Sequence, residues 1–189
     1  MIYLDLDGPM VKWTDGAFKL FGEELTPERF MSIDVNAAEA LGVEKSEVWA
    51  RISKAGTKWW AELEPHPWAR SFYEELSRID EVVILSSPSH IPAAAAGKVK
   101  WMKSFFGGNF RQYILTKRKD LLAKPGDVLI DDTNKNVDKF NQNGGNGILF
   151  PRPWNRARKD SHRAVDKVLN TLTQLYPRYS RERNTAGTR

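Results

Sequence analysis

Two short apolar runs in this chain each end in a pair of carboxylates. One is Ile2-Tyr3-Leu4-Asp5-Leu6-Asp7-Gly8, the other Val128-Leu129-Ile130-Asp131-Asp132. Runs this short and this rich in Ile, Val and Leu read as buried strands. Strand side chains alternate between faces, so Asp5 and Asp7 point the same way at the end of the first run. Gly8 permits the tight turn that brings backbone close to a ligand. In a parallel sheet both acidic pairs fall on one rim, where three or four carboxylates repel unless a cation sits among them. The arrangement therefore predicts a bound divalent ion. The competing reading is helix capping, a common role for Asp at a strand-to-helix turn; two pairs at matching strand ends favour the ion.

Three further runs, Val82–Leu85, Tyr113–Leu115 and Ile148–Phe150, read as strands of the same kind. Segments of helical period lie between them. Phe72, Leu76 and Ile79 share one face, and Val137 and Phe140 mark a helix that Gly144-Gly145 should stop with a left-handed cap. Val165, Val168, Leu169, Leu172 and Leu175 form the clearest apolar stripe, expected to pack on the sheet. Alternating strands and helices predict an α/β fold, a Rossmann-like doubly wound parallel sheet with ligands at the carboxyl ends of its strands.

The stretch between the first two strands is much longer than one crossover helix needs. It carries helix signals of its own at Thr26-Pro27-Glu28 and at Ser46-Glu47-Val48-Trp49, the second of which Gly56 can end. Residues 14–64 are expected to form a small inserted helical cap, separate from an α/β core of residues 1–13 and 65–176. Residues 177–189 are expected to be a basic, flexible tail.

The 189 residues suit one domain with a modest insertion, and 41% apolar and 28% charged residues exclude wholesale disorder. The chain has no cysteine, which removes disulfides, thiolate nucleophiles and Cys-based zinc sites. The histidines, His66, His90 and His162, are too scattered for a His-based metal cage, and His66 and His90 read as local hydrogen-bonding residues. A metal would thus have oxygen ligands, which points to Mg2+. No apolar run approaches the roughly 18 residues needed to span a bilayer, and Asp5 arrives too early for a signal peptide. A cytoplasmic protein is expected. The net charge of +5 is uneven: ten basic and three acidic residues from Arg152 onward give +7, against 19 basic and 21 acidic before it. Such a segment can meet nucleic acid or simply stay solvated, and the solvated reading is preferred.

Asp-Leu-Asp-Gly at residues 5–8, Ser86 after the second strand, Lys119, and Asp131-Asp132 resemble the four ordered motifs of the haloacid dehalogenase superfamily. The likeness covers residues 1–155. Within the superfamily the chain is most similar to the 5′(3′)-deoxyribonucleotidases, through Trp60–Pro65, Ser86-Ser87-Pro88, Lys98-Val99-Lys100-Trp101, and Gly147–Phe150 running into Pro153-Trp154-Asn155. It departs from their pattern at Pro9 and in the spacing between Lys119 and the second acidic pair.

The resemblance implies a Mg2+-dependent phosphomonoesterase acting on (deoxy)nucleoside monophosphates. Asp5 would be the nucleophile and Asp7 the general acid and base. The metal would be held by Asp5, the Asp7 backbone carbonyl, and Asp131 or Asp132. Ser86 and Lys119 would hold the phosphoryl oxygens, with Ser87 and Lys98 as second candidates. Trp59 and Trp60 are neighbours, so one is expected to bury while the other faces the cleft and stacks on a base. The rival readings are a phosphatase for another small phosphate ester or a nucleic-acid 3′-phosphate, and a non-enzymatic nucleic-acid-binding module on the same fold.

Overall fold

The computed structural model describes residues 1–30, 32 and 34–176; the tail expected at 177–189 lies outside the described residues. Five strands form one parallel sheet: β1 (Ile2–Leu4), β2 (Val82–Ser86), β3 (Tyr113–Leu115), β4 (Val128–Asp131) and β5 (Asn146–Leu149). Their spatial order is β3-β2-β1-β4-β5. The chain runs outward from β1 through β2 to β3, then returns to the other side of β1. The switch point therefore lies between the carboxyl ends of β1 and β4, where such sheets open a crevice. Leu4 pairs with Ile130, so Asp5 and Asp131 emerge together, and the Asp5 N–H donates to the Ile130 carbonyl at 2.9 Å.

Alternation along the strands covers both faces of the sheet. Ile2, Leu4, Ile84 and Ile130 pack with Phe72 and Leu76 of α4 (Ala69–Ile79), Trp101 and Met102 of α5 (Pro92–Phe106), and Val168 and Leu172 of α7 (Ala164–Leu175). Tyr3, Val83, Leu85 and Leu129 face the other way, onto Phe140 of α6 (Asn134–Gln142). Helices on both sides make the sheet doubly wound.

Three more helices, α1 (Trp13–Lys19), α2 (Ala37–Leu41) and α3 (Lys45–Ala61), lie between β1 and α4. A capping box starts α2, with the Asn36 carboxamide accepting from Ala38 and Glu39 N–H groups while Glu39 reaches back to Asn36 N–H. Val48, Ile52 and Trp60 of α3 belong to the same buried cluster as the strand residues. The contact between α3 and α5 is close: a Cβ on Gly97 would lie 2.2 Å from Trp60 Cβ and 2.8 Å from the Thr57 carbonyl oxygen.

Several local expectations shift. Strand β1 ends at Leu4 because the Leu6 N–H turns to the Asp5 carboxylate at 2.8 Å. Strand β5 begins two residues earlier than its apolar run, since Asn146 N–H already bonds the Asp127 carbonyl. Thr26-Pro27-Glu28 makes only a 3₁₀ turn, Pro27–Arg29, and Thr26 caps nothing with its side chain. Gly56 (φ +67°, ψ −161°) does leave helical geometry as expected, but a second helical limb follows directly, so α3 is two limbs joined at a kink. Gly144, at φ +89°, does close α6, while Leu175 at the end of α7 is 41% exposed instead of packed.

Candidate active site

Asp5, Asp131 and Asp132 are all buried, and one carboxylate oxygen from each lies within 4.8 Å of the others. Lys119, itself buried, sits among them with its Nζ 2.8 Å from Asp5 Oδ1 and 2.6 Å from Asp131 Oδ2. Asp131 is saturated. It also accepts from the Thr133 N–H at 2.8 Å and from the Asn136 carboxamide at 3.0 and 3.2 Å. Asp132 instead faces the open cavity, accepting from the Trp154 indole N–H at 3.0 Å. Gly8, at φ +90°, lies directly against it.

These charges do not balance. Burial, joined by the Asp131 and Asp7 charges, pushes the Asp5 carboxyl up to about 7 against the pull of Lys119. Burial and the neighbouring Asp131 and Asp5 raise Asp132 well above the usual carboxylate range. Burial alone would lower Lys119, yet Asp131 and Asp5 hold it above its ordinary value. A buried set of carboxylates with a single ammonium at its centre has room, electrostatically, for a further cation. All-oxygen hard donors at this spacing suit Mg2+.

Asp7 is held apart from the triad. Lys98, 2% exposed on α5, pairs with its carboxylate and also donates to Ser86 Oγ at 2.9 Å and the Ser87 carbonyl at 2.7 Å. The ammonium lies 5.2 Å from the Trp60 ring. Lys98 is in the middle of α5, which Pro92 begins.

Above this floor opens a cavity of about 460 Å³. Asp5, Asp7, Gly8, Ser87, Lys98, Lys119, Asp132 and Trp60 all line it, so most of the expected residues converge. Three do not. Asp131 stands behind the wall, fully buried. Ser86 is also fully buried: strand alternation turns its hydroxyl inward to Lys98, and Ser87 is the serine on the cavity. Trp59 lies outside, in a separate groove with Lys12, Lys19 and Glu64, because its indole packs beside Gly16 and Trp60 instead.

The aromatic wall is different from the one expected. Beside Trp60 it consists of Trp13, Phe30, Trp49 and Trp154, with Trp13 and Trp49 rings 6.0 Å apart and Phe30 and Trp154 5.3 Å apart. Sequence reasoning missed Trp13, Trp49 and Phe30, and also Asn136, whose only local signal was its place in the first turn after the acidic pair. Behind Trp154 lies Arg152, buried, its guanidinium 4.9 Å from the Trp154 ring and 5.8 Å from Trp68. The Arg152 Nε has no hydrogen-bond partner among the described residues. Its charge opposes the rise at Asp132.

The protein family described as 5′ nucleotidase, deoxy (Pyrimidine), cytosolic type C matches residues 1–170. The chain belongs to this family. It is a phosphomonoesterase of the haloacid dehalogenase-like 5′-nucleotidases, and the motif resemblance read from Asp5 to Asp132 holds. A search of curated proteins gave no match. Among solved structures, a phosphonoacetaldehyde hydrolase-like protein from Oleispira antarctica is 12% identical, with 98% of this chain and 84% of that one covered and a TM-score of 0.47. A haloacid dehalogenase family enzyme from Bacteroides thetaiotaomicron, crystallised with magnesium and inorganic phosphate, is 15% identical over 80% of this chain and 93% of its own, with a TM-score of 0.42. Among the described residues no helix is long and apolar enough to cross a membrane.

Proposed function

We propose that this nucleotidase is a Mg2+-dependent phosphatase of deoxynucleoside monophosphates, acting through an aspartyl-phosphate intermediate in the cytoplasm. The observation that carries the reading is the junction of two chemically distinct halves in one cavity: a floor of carboxylates and buried lysines, and a wall of aromatic rings. Pockets of this kind bind a ligand by apolar contact and orient it through a few polar groups.

Asp5 attacks phosphorus and the ester oxygen leaves with a proton from Asp7. Asp7 then takes a proton from the water that cleaves the acyl phosphate. Its pairing with Lys98 aims the carboxylate and keeps it from the triad. Lys119 steadies Asp5 and stands where non-bridging oxygens gather charge, and Ser87 takes the place first expected of Ser86. Asp5, Asp132 and the Asp7 backbone carbonyl would hold Mg2+, with Asp131 orienting Lys119 from behind. When bound, the ion supplies charge neutralisation between the attacking carboxylate and the phosphoryl group. Residues 14–64 act as a cap over a core of residues 1–13 and 65–176, and supply Phe30, which follows the 3₁₀ turn, Trp49 and Trp60 to the base, joined by Trp13 of the core. Trp13 itself stands at the junction of the two.

The test is a phosphate-release screen over deoxynucleotides, sugar phosphates and 3′-phosphorylated oligonucleotides, with and without magnesium. Asp5→Asn should abolish release while the circular dichroism spectrum is kept, and EDTA should do so reversibly. Activity that survives both treatments would sink the mechanism; a preference for sugar phosphates would sink the substrate.

A further inference from the structure

The charged residues that line the cavity fall into two groups, those paired with one another and those without a partner among the described residues. The carboxylates, Asp5, Asp7 and Asp132, all stand at the floor, where Lys98 and Lys119 are committed to them. Two more lysines line the same cavity, Lys45 at the beginning of α3 and Lys117 in the turn after β3. Both are exposed, and among the described residues neither has an ion pair or hydrogen bond. The adjacent cations are each neutralised: Arg118 pairs with Asp120 at 2.7 Å, and Arg51, further along α3, with Glu47 at 3.1 Å. Lys45 and Lys117 are left as the unpaired cations of the cavity.

A monophosphate engages only the floor. Its single phosphoryl group would be taken at the floor by Asp5 and Lys119, and its base by the aromatic rings, so nothing anionic would remain for Lys45 and Lys117. His90 lines the same cavity with its ring 4.8 Å from Trp49, which brings a hydrogen-bonding edge next to the aromatic wall. Like charges on a cavity wall attract an anion into it and repel one another without one.

We propose that the cavity takes a nucleotide bearing a second phosphate, a nucleoside 3′,5′-bisphosphate, whose retained phosphate is held by Lys45 and Lys117. This rests on the nucleotidase reading above and narrows its substrate. The reaction is the same hydrolysis: water and the bisphosphate give inorganic phosphate and the nucleoside monophosphate. The P–O ester bond breaks at the floor, and the leaving oxygen keeps the proton from Asp7. The second phosphate passes through unchanged. A strand end presents similar chemistry, because its next phosphodiester carries one negative charge.

The experiment compares kcat/KM for deoxythymidine 5′-phosphate, deoxythymidine 3′,5′-bisphosphate and a 5′-phosphorylated dinucleotide, using the full chain with magnesium. The variants are wild type, the double variant K45A/K117A and the charge-conserving K45R/K117R. The bisphosphate should exceed the monophosphate by about tenfold, the sum expected of two exposed charge contacts. That ratio should fall towards one in the alanine variant, survive in the arginine variant, and shrink as salt is raised. A ratio near one in the wild type, or one that persists in the alanine variant, overturns the proposal while leaving the nucleotidase reading intact. A dinucleotide gain equal to that of the bisphosphate overturns the bisphosphate in favour of a strand end. Failure to hydrolyse any of the three overturns the nucleotidase reading itself.

Discussion

Gly8 and Asp132 stand so close that a Cβ on the glycine would lie 2.0 Å from Asp132 Oδ2. The glycine is at φ +90°, a conformation that L side chains rarely adopt, so the position is closed to other residues on two grounds. The contact seats the acid from the β4 rim directly on the turn that leaves β1. Gly8→Ala must therefore displace Asp132, and displacement of about 1 Å at a catalytic group can cost about 100-fold in rate. The expected outcome is a loss of that order in phosphate release, with a strain cost of about 1–3 kcal/mol seen as a lower melting temperature. Full activity in this variant would show that Asp132 is dispensable.

Gly97 gives a second substitution with a definite sign. Replacing glycine by alanine inside a helix ordinarily stabilises by up to about 1 kcal/mol. Here the new methyl meets Trp60 Cβ at 2.2 Å and the Thr57 carbonyl oxygen at 2.8 Å, neither of which is the far end of a flexible side chain. Gly97→Ala is expected to destabilise by about 1–3 kcal/mol in urea titration, as overpacking does. An unchanged or raised midpoint would mean that α3 and α5 separate freely.

The tryptophans are expected to divide by which side of the cap they face. Trp49→Ala should raise KM for a deoxynucleotide by about 5- to 150-fold, the equivalent of one lost base stack, and barely affect p-nitrophenyl phosphate, which has no base. Trp59→Ala, outside the cavity, should treat both substrates alike. The reverse pattern would move the base to the other side of the cap.

His66 supplies a pH signature separate from catalysis. Its ring stacks on Trp68 with centroids 4.4 Å apart, and burial, followed by the Arg152 and Lys12 charges, lowers its pKa from 6.5 to about 3. The folded protein keeps the ring neutral while the unfolded chain protonates it near 6.5. Between those values the unfolded state holds more protons, so this residue's effect on stability becomes steadily more unfavourable as pH falls, by up to about 1.4 kcal/mol per pH unit. Carboxyls with raised pKa act in the opposite sense over part of this range, so the quantity to measure is the gap between wild type and His66→Gln. That gap should widen in the variant's favour below pH 6.5; parallel curves would show that His66 is charged when folded.

The floor of the site was legible because strand alternation and parallel pairing are local rules: Asp5 and Asp131 each end an apolar run, and the Leu4–Ile130 register does the rest. The fold class followed from the same rules. Ser86 lies off the cavity and Ser87 on it because β2 runs one residue beyond its apolar stretch, which the run Val82–Leu85 alone does not announce. Trp59 and Trp60 could be told apart only by the α3–α5 packing, which depends on a glycine 37 residues further along the chain. Arg152 looked like one more solvated charge in a basic stretch, and nothing in its neighbours announces that Trp68 and Trp154 enclose it.

The kink at Gly56 has an effect on how this protein can diverge. It splits α3 into an outer limb carrying Lys45, Val48 and Trp49 along the cavity, and an inner limb whose Trp60 is clamped on α5 next to Lys98. The outer limb can drift in sequence, and its angle can be reset at one flexible joint, without disturbing the lysine that holds Asp7. Preference among substrates is thereby free to change while the chemistry stays fixed, and related chains should differ more between residues 45 and 55 than in the turn of α5 that follows Gly97.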